Sequence, residues 1–144
     1  MSDSNEVWFE VPFVAFQARP RMVVRFGRPA MYVTEEQRRE REAVAAAYRE
    51  AGGGIIDGPV EVDVVVTSPL PTRRPKRVAS EAFTVKPDVD NVLKGVLDAL
   101  NGVAWTDDAH VTQVIGIKAP RGRGGRKGTF VCVRPAREGA RRDG

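Results

Sequence analysis

Residues 86–118 constrain the fold of this chain more than any other stretch. Pro87 disfavours helix for the residue before it. From Asp88 to Leu100, apolar residues recur at helical spacing, at Val92, Leu93, Val96, Leu97 and Leu100. Asn101-Gly102 stops the helix with a pair that tolerates left-handed backbone. Trp105 to Asp108 reads as a turn. His110 to Ile117 then alternates Val111, Gln113, Ile115 and Ile117 against His110, Thr112, Val114 and Gly116, which suits a strand.

The flanking sequence supplies the remaining elements. Residues 7–16 are rich in β formers, and Pro12 suggests an edge strand or a bulge. Met22–Phe26 and Met31–Val33 surround a Gly/Pro turn and read as a hairpin, with Arg19, Arg21, Arg25 and Arg28 and no acid among them. Thr34-Glu35-Glu36-Gln37 fits a capping box, in which Gln37 would reach back to the Thr34 amide. Ala43, Val44, Ala47, Tyr48 and Ala51 share a face of the helix that follows, and Gly52-Gly53-Gly54 ends it. Pro59–Thr67 alternates as a strand with a buried Val face. Residues 68–87 form a Pro-rich loop, and Gly128–Arg134 reads as the strand returning in a hairpin from 110–117. The order predicts an α+β fold. One small domain over 1–144 is expected, with a mixed and mostly antiparallel sheet and two main helices on one face. Residues 1–5 and 135–144 are expected to be flexible tails.

The formal charge is +4, carried by 18 Arg and only 5 Lys. Arginine's planar fork fits phosphate oxygens, so an anionic partner is indicated, nucleic acid first. One Cys and one His exclude an intramolecular disulfide and the usual four-ligand zinc site. Cys132 lies in an apolar run and reads as a buried strand residue. The acidic N-terminus lacks a secretory pattern, and no stretch approaches the ~18–20 apolar residues of a membrane span. A cytoplasmic protein with no membrane partner is expected, using carboxylates, Lys and Arg for any chemistry.

The candidate chemistry sits in residues 86–110. Asp88 and Asp90 straddle the helix start and can converge on one point. Lys94 stands one turn beyond Asp90 on the same face. Asp107 and Asp108 come from the turn after the helix and are expected to return beside the same sheet ends. Such a concentration of acids calls for a cation, and hard oxygen donors suit Mg2+ or Mn2+. Basic segments bracket the acids: Arg73, Arg74, Lys76 and Arg77 before, and Lys118, Arg121, Arg123, Arg126 and Lys127 after. Arginines that hold a DNA backbone around a metal that neutralises charge on a cleaved phosphate fit phosphodiester hydrolysis. A non-catalytic nucleic-acid-binding protein, or a metal-dependent nuclease acting on flap or RNA substrates, remains open at this point.

The motifs KPDVDNVLK, DALNG and DDAHV, with Arg19-Pro20-Arg21 and Tyr32-Val33-Thr34 upstream, resemble the RusA family of Holliday junction resolvases. The resemblance implies a small α+β homodimer that cuts four-way DNA junctions with Mg2+, in recombination and repair. It implies that Asp88, Asp90 and Asp108 are metal-binding catalytic acids, that Lys94 is the catalytic lysine, and that Asp107 is the neighbouring acid. His110 stands where the family commonly has Gln. Arg19, Arg21, Arg73, Arg74, Lys76 and Arg77 are the first candidates for DNA contacts.

Overall fold

The computed structural model describes residues 5–18 and 21–136; of Arg21, Met31 and Tyr32 only the backbone is described. A four-stranded sheet is built from β1 (Val7–Val11), β4 (Val60–Thr67), β6 (Val111–Lys118) and β8 (Gly128–Pro135), in the order β1-β8-β4-β6. β8 is antiparallel to both β1 and β4, while β6 is parallel to β4. A hairpin of β2 (Arg21–Arg25) and β3 (Arg28–Tyr32) forms a separate ribbon. β5 (Ser80–Glu81) pairs with β7 (Arg121–Gly122). Helices α1 (Glu35–Glu50) and α2 (Val89–Leu100) complete the fold. The expected α+β class and both helices are observed. No helix among the described residues is long and apolar enough to cross a membrane.

β4 shows why one face is core. Val60, Val62, Val64 and Val66 are buried while Glu61, Asp63 and Val65 stand on the other face. Val131 and Val133 of β8 add to the buried face, against Val44 and Tyr48 of α1 and Val92, Val96 and Leu100 of α2. Each such side chain contributes about 1.5–3 kcal/mol on burial. Pro12 does mark an edge: β1 lies at the margin of the sheet and ends at Val11. Cys132 is buried in β8 as expected.

Two local readings are corrected. Thr34 caps α1, accepting from the Gln37 amide at 3.2 Å, but Gln37 does not reach back. Its Oε1 accepts from the Ala18 amide (2.6 Å) and its Nε2 donates to the Phe16 carbonyl (3.2 Å), tying segment 13–18 to α1. The second correction concerns β6 and β8, which do not form a hairpin pair. β4 lies between them, so β4, α2 and β6 make a crossover between parallel strands.

The crossover fixes the direction of α2. A Cβ on Gly116, late in β6, would stand 3.0 Å from both Val89 and Leu93, and Lys118 Nζ donates to the Val85 carbonyl (2.7 Å). The start of α2 therefore lies at the C-terminal end of β6, and its end lies by the N-terminal end of β6. Segment 13–18 crosses α2 at Gly95, where a Cβ would come 2.5 Å from the Phe16 carbonyl carbon. The hairpin turn has positive φ at both central residues, Phe26 (53°) and Gly27 (77°), as in a type I′ turn. Left-handed backbone at a non-glycine residue costs roughly 1–2 kcal/mol.

Gly95→Ala tests the crossing. Ala is normally better than Gly inside a helix by about 1 kcal/mol, yet here the added Cβ meets backbone. Urea denaturation should show Gly95→Ala less stable than wild type; a stabilised variant would contradict the contact.

Candidate nucleic-acid interface and acidic site

One end of the sheet collects the charged groups. Loop 68–87 leaves the C-terminal end of β4, turn 119–127 lies between β6 and the start of β8, and α2 begins there. Arg73, Lys76, Arg77, Lys86, Arg123, Arg126 and Lys127 are exposed at this end. Asp88 is the N-cap residue of α2 but makes no side-chain capping bond; its carboxylate instead meets Lys86 Nζ at 3.3 Å. Asp90, in the first turn of α2, and Lys94, one turn on, are both exposed. Beside them a groove of about 370 Å³ is lined by Phe13, Phe16, Glu40, Phe83, Lys86 and Lys127, among others. Burial, and then Glu36, raise the Glu40 carboxyl above its ordinary value.

Asp107 and Asp108 are elsewhere. Asp107 caps a short 3-10 turn, Asp108–His110, by accepting from the Ala109 amide at 2.9 Å. Asp108 accepts from the indole Nε1 of fully buried Trp105 at 2.8 Å. This turn follows the far end of α2. Ten residues of helix between Asp90 and Leu100, at about 1.5 Å per residue, put roughly 15 Å between the two acid pairs. Among the described residues no three of His, Cys, Asp and Glu come together as a metal-sized group. The expected return of the turn to the same sheet end does not occur within one chain, because a crossover helix carries the chain from one end of the sheet to the other. His110 Nδ1 lies 3.5 Å from Thr106 Oγ1 in this distant turn.

The basic candidates also divide. Arg19 lies outside the described residues, and only the backbone of Arg21 is described, at the first position of β2. Arg73, Lys76 and Arg77 are exposed. Arg74 is committed to Glu81, donating from Nε at 2.8 Å and Nη2 at 3.1 Å, and Arg121 pairs with the same carboxylate. Arg123 donates to the carbonyls of Pro75 (2.8 Å) and Val78 (2.6 Å). Arg121 and Arg123 thus shape the loop that presents Arg73, Lys76 and Arg77. The sequence reading missed this clamp; the lone Glu81 amid five basic residues was the available signal.

Hydrogen bonds from Arg74 and then Arg121 hold the Glu81 carboxyl down to about 2, against an ordinary 4.5. A depressed carboxyl contributes stability that is complete above its unfolded value and lost as pH falls through the folded one. The thermal midpoint should therefore drop between about pH 4.5 and pH 2. Glu81→Gln should lower the midpoint at neutral pH and flatten that drop; an unchanged pH profile would contradict the clamp.

Residues 12–133 match the family model described as endodeoxyribonuclease RusA. The chain is also 36% identical over 107 residues to an uncharacterized protein, YqaN, of Bacillus subtilis (strain 168), covering 68% of this chain and 75% of that protein.

Proposed function

This chain belongs to the RusA family of Holliday junction endodeoxyribonucleases, and from that premise we propose that it resolves branched DNA in a reaction dependent on Mg2+, with Mn2+ able to substitute. The observation that carries this reading is the pair of exposed carboxylates, Asp88 and Asp90, set at the basic end of the sheet beside Lys86 and Lys94. Their donors are hard oxygens, while His110 is in the distant turn and Cys132 is buried in β8. That donor set fits a small divalent cation, which takes one or two carboxylates and keeps several waters.

The separation of the acid pairs favours a homodimer. β6 is an edge strand, and a two-fold axis through the middle of that edge exchanges its ends. Asp107 and Asp108 of the partner subunit would then stand at the end that carries Asp88 and Asp90. Two such sites related by a two-fold axis match the symmetry of a four-way junction and its paired cuts. Asp88, Asp90 and Asp108 of the partner subunit would hold the ion, with Asp107 of the partner subunit adjoining. When bound, the ion makes a coordinated water more acidic and neutralises charge growing on the phosphate.

The chain's own residues do the remainder. Lys94, one turn from Asp90, adds positive charge facing the phosphate. Arg73, Lys76 and Arg77 grip the backbone, with Arg19 and Arg21 supplying further contacts, while Arg74 fixes the loop through Glu81. The setting is recombination and repair of DNA in the cytoplasm, by one domain spanning 1–144.

Asp90→Asn should reduce cleavage of a four-way junction by on the order of 100-fold or more, with junction binding equal or tighter, and EDTA should stop the wild-type enzyme. Binding should weaken steeply with salt. Junction, flap, duplex and RNA hairpin substrates assayed side by side decide the substrate. Wild-type cleavage by Asp90→Asn, or preference for flap or RNA, would contradict the reading.

A further inference from the structure

The β2–β3 hairpin carries features that the rest of the fold does not use. Met22, Val24 and Phe26 are 66%, 74% and 101% exposed. Strand alternation puts Met22 and Val24 on one face of the ribbon, and Phe26 stands beyond them in the turn at its tip. Arg25 lies directly opposite Arg28 across the ladder, and like charges so placed repel unless an anion meets them. No acidic residue occurs from Ala18 to Thr34. Phe26 also holds a left-handed turn position better suited to Asn or Gly. The fold gains no burial from Phe26, which leaves its ring open to a contact outside the chain.

The segment that precedes the hairpin in the chain lies against the helix bearing the acids. The Gln17 amide donates to the Asn91 carbonyl at 2.9 Å, one residue from Asp90. The ribbon itself extends five paired residues, or about 17 Å at 3.3–3.4 Å per residue.

We propose that this hairpin is a wedge for the open centre of a branched DNA. Phe26 stacks on a base pair exposed at the branch point, and Arg25 and Arg28 take the flanking phosphates. The proposal deepens the nuclease reading and rests on it. An intact duplex covers the faces of its interior base pairs, whereas the pairs bounding a branch can expose one, which an apolar side chain can occupy. The charge pattern selects DNA over a second copy of the chain, since two such hairpins would repel.

The test compares wild type, Phe26→Asn and Phe26→Trp bound to a four-way junction in Ca2+, with permanganate reactivity of branch-point thymines as the readout. Asn suits the turn, so the ribbon persists without the ring, and Trp retains an aromatic face. Wild type and Phe26→Trp should raise thymine reactivity, and Phe26→Asn should not. Phe26→Asn should bind the junction about tenfold more weakly, the scale of one lost base–aromatic stack, with duplex binding unchanged. Equal reactivity and junction affinity for Phe26→Asn and wild type would overturn the wedge while leaving cleavage by wild type intact. Sedimentation showing that Phe26→Asn shifts a dimer to monomer would overturn it in favour of a second copy. Wild-type protein that neither binds nor cuts the junction would overturn both the wedge and the nuclease reading.

Discussion

The parallel pairing of β4 with β6 is the constraint on which the rest depends. Parallel neighbours cannot be joined by a tight turn, so the chain must travel back along the sheet between them. Here α2 makes that return, seated closely on β6 at Gly116. The helix therefore starts at one end of the sheet and finishes at the other. Loop 68–87, turn 119–127 and the first turn of α2 are gathered at one end, and Asp107 and Asp108 are sent to the opposite one. The charge layout of the molecule follows from strand direction.

That layout separates two kinds of arginine. Some shape the surface and some present charge on it. Arg74, Arg121 and Arg123 are bound to Glu81 or to loop carbonyls, so their cost of ordering is met by fixed partners. Arg73, Lys76 and Arg77 stay exposed on the loop those contacts shape. A net charge of +4 understates the basicity of this end, because Glu61 and Asp63 are paired with Arg134 on the open face of the sheet.

Much of the fold was legible because local chemistry and tertiary structure agree. The alternation of Val60 to Thr67, the Thr34 cap and the apolar stripe of α2 each name their own element. What local pattern does not encode is strand order. Gly128–Pro135 looks like the return of a hairpin, and only pairing across the sheet shows that β4 has been inserted. The same gap affected the site. Spacing correctly places Asp88, Asp90 and Lys94 on one helix start, but proximity in sequence says nothing of which sheet end receives Asp108. Gly116 within a strand was the overlooked cue, since glycine there marks a close approach. Trp105, in the turn before Asp108, is fully buried and holds Asp108 through its indole, which no turn signal in the sequence announces.

The central claim is that a complete acidic site needs Asp88 and Asp90 from one subunit and Asp108 from the other. Subunit mixing tests it most directly. Asp90→Asn and Asp108→Asn proteins, each inactive alone, are combined under conditions that allow exchange and assayed for nicking of a four-way junction. With sites shared between subunits, each mixed dimer regains one intact site of two. Since random exchange makes half of the dimers mixed, roughly a quarter of wild-type nicking should return. With each site contained in a single subunit, both sites of a mixed dimer are broken, and a mixture as inactive as its components would contradict the account.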